Sequence, residues 1–108
     1  MQIETSEGLV KVEFYQYPNN SLRVELIDAD TYEPVATLST NVDKVSQHLP
    51  YDCFVAKTYS ENKKIAEECL ASGLFEDTEK PVIIGFALGS VWKVKNYNKE
   101  VYGIDHGN

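Results

Sequence analysis

Apolar and polar residues alternate in two neighbouring stretches, Leu9 to Tyr15 and Leu22 to Leu26. Val10, Val12 and Phe14 stand against Lys11 and Glu13, and Leu22, Val24 and Leu26 against Arg23 and Glu25. A period of two marks half-buried β-strands. Between them, Tyr17-Pro18-Asn19-Asn20 reads as a turn, because proline fixes φ and asparagine tolerates positive φ. The pair is therefore expected as an antiparallel hairpin. Residues 1–4 offer a first short strand, ended by the turn signal Ser6-Glu7-Gly8. Residues 28–34 (DADTYEP) form the next turn, and residues 35–40 a third main strand with Ala36 and Leu38 inward. Connections this short favour an antiparallel meander over βαβ units.

The period changes to that of a helix in residues 58–75. Ile65, Ala66, Cys69, Leu70 and Leu74 fall on one stripe, and Lys63, Lys64, Glu67, Glu68 and Ser72 on the rest of the surface. Lys63–Glu67 and Lys64–Glu68 have i,i+4 spacing. Thr58 and Glu61 have the T-x-x-E spacing of a capping box, with Ser60 a competing N-cap. Gly73 is the natural residue to end the helix at positive φ. Residues 41–50 read as a loop with one helical turn, given Val42, Val45 and Leu49 and the closing Pro50. Residues 51–57 read as a strand running into the helix. Residues 76–81 read as an acidic turn. Residues 82–94 read as one long strand, with Val82, Ile84, Phe86 and Leu88 on one face and bends at Gly85 and Gly89. The tail from about residue 96 is expected to add an edge strand through Val101 and Tyr102 or to fray. The expected fold is one α+β domain over residues 1–108: a curved antiparallel sheet of five to six strands with one main helix packed on one face.

Composition narrows the function classes. With 43% hydrophobic and 25% charged residues, the chain is ordinary for a globular protein. No apolar run has membrane-span length and the N-terminus shows no signal pattern, so a cytoplasmic protein is expected. Cys53 and Cys69 lie among apolar residues and are expected as buried, reduced thiols. The formal net charge of −7 opposes direct binding to nucleic acid or to an anionic membrane. The charge then serves solubility alone or recognition of a basic protein partner.

The candidate chemistry is sparse. Asp28, Asp30 and Glu33 begin like a Ca²⁺ loop, but the glycine and closing glutamate of such a loop are missing, and a capped turn explains them better. No metal or cofactor is expected. His48 stands near Cys53 in sequence, and His106 falls in the tail; neither has a partner in a recognisable catalytic motif. Gly85-x-x-x-Gly89 lacks the Lys-Ser/Thr and the helix of a phosphate loop. The chain is therefore read as a non-enzyme. Glu67, Glu68, Glu76, Asp77 and Glu79 are expected to form one negative face along the helix and beyond it. With Asp28, Asp30 and Glu33 they are the candidate partner-binding residues. Seven tyrosines, mostly at expected strand ends, suit either an interface or sheet packing.

Three stretches taken together carry a resemblance: N-S-L-R-V-E-L-I-D at residues 20–28, E-P-V-A-T-L-S-T-N at 33–41, and K-T-Y-S-E-N at 57–62. They resemble the domain of unknown function 4313 family, small proteins encoded by bacterial mobile elements and phages. The resemblance covers about the middle two-thirds of the chain and brings no catalytic residues with it. It implies a mobile-element accessory protein, of a kind that in some cases acts against host defence. The function expected on this basis is an acidic inhibitor of a nucleic-acid-targeting defence system, of anti-CRISPR or anti-restriction type, working by protein–protein binding. The alternatives are an accessory protein acting through homo-oligomer contacts, such as a homodimer, and an enzyme of unrecognised type.

Overall fold

The computed structural model describes residues 1–97. The strand expected through Val101 and Tyr102, and His106, lie outside them. Eleven elements follow in order: β1 (Gln2–Thr5), β2 (Gly8–Gln16), β3 (Leu22–Asp28), β4 (Pro34–Thr37), β5 (Ser39–Thr40), α1 (Asp43–Ser46), β6 (Cys53–Ala56), a 3-10 turn (Ser60–Asn62), α2 (Lys63–Ala71), β7 (Phe75–Ile84) and β8 (Ala87–Val94).

The fold is α+β, with two antiparallel four-stranded sheets in place of the single curved sheet of five to six strands expected. Their orders are β1-β2-β3-β4 and β5-β6-β8-β7. The strand expected over residues 35–40 is where they part. Its first half pairs with β3 and its second half with β6. Leu38 sits at the junction with its side chain fully buried. Its N–H donates to the Val24 carbonyl at 2.9 Å, and its own carbonyl accepts from the Lys57 N–H at 2.7 Å. The backbone thus crosses from one ladder to the other without an orphaned polar group.

On the opposite side the two sheets end in β1 and β7, and α2 packs against both. It closes that side by burying Ile65, Ala66 and Cys69. The main core lies inside, where Val10, Val12, Phe14, Leu22, Val24 and Leu26 from the alternating strands meet the other sheet and α2. Phe54, Phe75 and Trp92 contact one another there, with ring centroids 5.8 to 6.2 Å apart. The second face of sheet β5-β6-β8-β7 is covered separately. Val42, Val45 and Leu49, around α1, pack on Cys53, Val55, Val82 and Val91.

Three expectations change. The helix begins later than Thr58, because Ser60 takes φ 56°, and no side chain caps either helical segment. Glu61 does not reach back to Thr58; it accepts from Lys57 Nζ at 2.6 Å. The same bend turns Asn62 inward, where Nδ2 donates to the Thr37 carbonyl at 2.7 Å. Next, the acidic "turn" at 76–81 is part of β7. An edge strand faces water along its outer margin and tolerates charges and Pro81, whose missing N–H would break a central ladder. A bulge between Asp77 and Pro81, with Glu79 at φ 64°, loosens the pairing. Lastly, residues 82–94 are a hairpin arm, a turn and a second arm. The two-residue loop is Gly85-Phe86, with Gly85 at φ 60°, the glycine-first pattern of a type II′ turn. Gly73 does end α2 at positive φ, as its position implied.

Candidate functional site

The carboxylates singled out in the sequence do not form one surface. Asp28 Oδ1 accepts the backbone N–H groups of Thr31 (2.9 Å) and Asp30 (2.8 Å), closing the β3–β4 turn. Those two bonds, Thr31 first, hold its carboxyl below the usual range. Asp30 and Glu33 stay exposed beside it. Among the described residues, no three His, Cys, Asp or Glu side chains gather to hold a metal ion.

The second acidic group is spread over several places. Glu68 turns towards β1 and β2, accepting from Ser6 N–H at 2.7 Å and Ser6 Oγ at 2.9 Å. Glu76 pairs across the sheet with Lys93, and Asp77 with Trp92. Successive strand residues point to opposite faces, so Glu76 lies on the face that carries Val91 and Asp77 on the main-core face. Glu67 and Asp77 both line a groove of about 210 Å³ between α2 and the β7–β8 hairpin, one from each element. Its floor holds Ala66, Leu70 and Trp92, and Lys63 also lines it. Glu79, in the bulge, donates its N–H to Asp77 Oδ1 at 2.8 Å.

Beyond this groove the hairpin continues with none of the described residues packed over its end. Leu88 lies on the same strand face as Ser90 and Trp92, and Ile83 is its cross-strand partner. Inside the fold this face is covered by the other sheet and α2. At the hairpin end Ile83, Leu88 and Phe86 are 77%, 62% and 113% exposed. The pattern of residues 82–88 carried the signal: a glycine between two apolar runs, followed by an aromatic at a turn position.

Both cysteine thiols are buried. Burial, followed by the neighbouring Asp52 carboxylate, pushes the Cys53 thiol up to about 11. Burial also pushes Cys69 to about 12, helped by Glu68. The Cys53 thiol faces Asp52 Oδ1 at 3.5 Å, and His48 is exposed. Of the tyrosines, Tyr17 hydroxyl bonds Ser39 Oγ at 2.9 Å and Tyr15 hydroxyl donates to Glu13 at 2.7 Å, while Tyr32 and Tyr51 are largely exposed. No helix among the described residues is long and apolar enough to cross a membrane.

No family model, no curated protein and no solved structure matches the chain.

Proposed function

We propose that this is a non-enzymatic binding protein that works by protein–protein contact, with the end of the β7–β8 hairpin as its contact element. One observation carries the reading: among the described residues, three large apolar side chains at the end of one hairpin are exposed, Ile83 and Leu88 as cross-strand partners and Phe86 in the turn between their strands. Single exposed apolar residues are commonplace, but a contiguous group of them marks an interaction site. The resemblance to a mobile-element and phage family supplies the setting. In that setting the net charge of −7 favours an acidic inhibitor, acting in the cytoplasm on a basic, nucleic-acid-handling defence protein of the host. The same apolar end also favours a second reading, an accessory protein that pairs with its own copies through the hairpin.

Site-directed photo-crosslinking tests both. A photoreactive phenylalanine analogue is placed at position 86, and at exposed Tyr32 as a control, in protein expressed in a bacterial host. The proposal expects a heterologous adduct from position 86 and none from position 32. Adducts joining two copies of this chain support the second reading. Well-folded protein that gives no adduct from position 86 refutes both.

A further inference from the structure

The groove beside the hairpin defines the chemistry of what the hairpin end takes. We infer that the continuous surface from Phe86, Ile83 and Leu88 to the groove over Trp92 and Leu70 docks a basic, amphipathic segment of a partner protein. This inference rests on the hairpin being the contact element, and it adds the partner class.

Shape excludes a small ligand. Phe86 protrudes fully, so only a concave partner can bury it, and the groove behind it is small and open. A partner segment can do both at once, closing over Phe86 while one apolar side chain of its own enters the groove. Large aromatic and aliphatic side chains at the centre of a contact carry most of its energy.

Charge then selects the kind of segment. Glu67 on α2 and Asp77 on β7 flank the groove from its two sides, and among the described residues one ammonium, Lys63, lines it with them. Lys80, the next cation along β7, precedes Pro81, the cross-strand partner of Ser90, and so lies toward the opposite sheet face. Lys57 is engaged with Glu61. An apolar surface with two carboxylates at its margin complements apolar residues flanked by Lys or Arg. A second copy of this chain would bring carboxylate margins and a net charge of −7 towards their like. An anionic membrane is disfavoured for the same reason.

The test uses the full chain, labelled with ¹⁵N, and three designed helical peptides: Leu/Lys, Leu/Glu and Ser/Lys, of equal length. The Leu/Lys peptide should shift the amides of residues 83–90, Ala66 and Leu70, together with the Trp92 indole N–H. Neither of the other peptides should do so up to about 1 mM, the weakest affinity of interest. Phe86→Ser and Leu88→Ser, each confirmed folded by its spectrum, should weaken the Leu/Lys peptide at least about tenfold, as loss of a contact centre does. Glu67→Gln with Asp77→Asn should weaken it several-fold and flatten its salt dependence.

Equal binding of the Ser/Lys peptide, no local shifts with Leu/Lys, or salt-dependent binding unaltered in the Glu67→Gln/Asp77→Asn protein overturns the inference. So does sedimentation of the protein with anionic vesicles, or self-association abolished by Phe86→Ser. The two failures separate cleanly. If the position-86 crosslink forms while the Leu/Lys peptide is ignored, the hairpin remains the contact element and only the partner class is wrong.

Discussion

Gly89 lies so close to Ile84 that it has no room for a side chain. A Cβ at position 89 would stand 2.8 Å from Ile84 Cδ1 and 3.0 Å from the Ala56 carbonyl oxygen. The methyl tip of Ile84 can yield, but the backbone of β6 cannot. Gly89→Ala should therefore destabilise by about 1–3 kcal/mol, the usual cost of overpacking. Phe86→Ser, at the exposed tip of the same hairpin, should change stability by no more than about 0.5 kcal/mol. Urea denaturation of the two variants checks the contrast, and equal midpoints would contradict the close approach.

Along α2 the buried positions are Ile65, Ala66 and Cys69, whereas Leu70 is half-exposed beside the groove. Ile65→Ala should cost about 2–5 kcal/mol, as for other large-to-small core changes. Leu70→Ala should cost distinctly less. Thr58→Ala should be nearly silent, because Thr58 caps no helix. A loss near 1 kcal/mol for Thr58→Ala, the usual cost of a lost N-cap, would restore the capping box.

Asn62 ties the start of α2 to the first sheet. It is 2% exposed, and its Nδ2 donates to the Thr37 carbonyl. Asn62→Leu keeps the branched shape but leaves that carbonyl without its donor, at a cost of about 1–3 kcal/mol. Amide exchange should speed up through both β4 and the first turn of α2. An effect confined to α2 would mean that the bond does not couple them.

Much of this fold is legible from period alone, and the exceptions share a cause. The β2–β3 hairpin has one face on a core and one in water, so its alternation maps directly onto burial. The stripe of α2 works for the same reason. Periodicity breaks down in β7, an edge strand with a bulge, where Glu76, Glu79, Lys80 and Pro81 meet solvent. It breaks down again at Phe86, where an apolar residue occupies a turn. A hydrophobicity pattern assumes that apolar means buried, and it therefore hides the hairpin end, where Ile83, Phe86 and Leu88 are exposed. The split at Leu38 is also invisible, because a strand that pairs first on one side and then on the other has the same alternation as one that stays in a single sheet. As for the site, its carboxylates could be named from the sequence but not grouped. Which neighbours share a face depends on the strand register of Glu76 and Asp77 and on Glu68 turning to Ser6.

The thiols set an alkaline limit on stability. Both cysteines have folded-state values raised above the ordinary 9.0, Cys53 to about 11 and Cys69 to about 12. A group with a raised value contributes fully below its unfolded pKa. That contribution is lost as pH rises through the folded value, since the unfolded chain gives up its proton first. Stability should hold through neutral pH and fall from about pH 9 upward. Cys69→Val should flatten that alkaline fall. In the native protein at pH 8 both thiols should react with a disulfide reagent only as fast as the chain opens. Rapid native-state labelling of Cys69 would contradict its burial.

Glu67 and Glu68 are neighbours in sequence with different duties. Glu68 accepts two hydrogen bonds from Ser6 and so fastens the β1–β2 turn to α2. Hydrogen bonds to a charged group exceed ordinary ones, and Glu68→Gln should lower stability by about 1 kcal/mol. Glu67 is exposed on the margin of the groove, and Glu67→Gln should leave stability unchanged, because exposed charges contribute little. For association with a basic partner the order reverses. Glu67→Gln should slow the on-rate, with an effect that shrinks as salt is raised from about 50 to 200 mM and the Debye length shortens. Glu68→Gln and Glu76→Gln, whose carboxylates face elsewhere, should leave the on-rate nearly unchanged. Stopped-flow association at two salt concentrations, beside urea denaturation of each variant, measures both halves. If all three substitutions slow association equally, total charge rather than its placement steers the partner, and the pairing of Glu67 with Asp77 across the groove has no part in recognition.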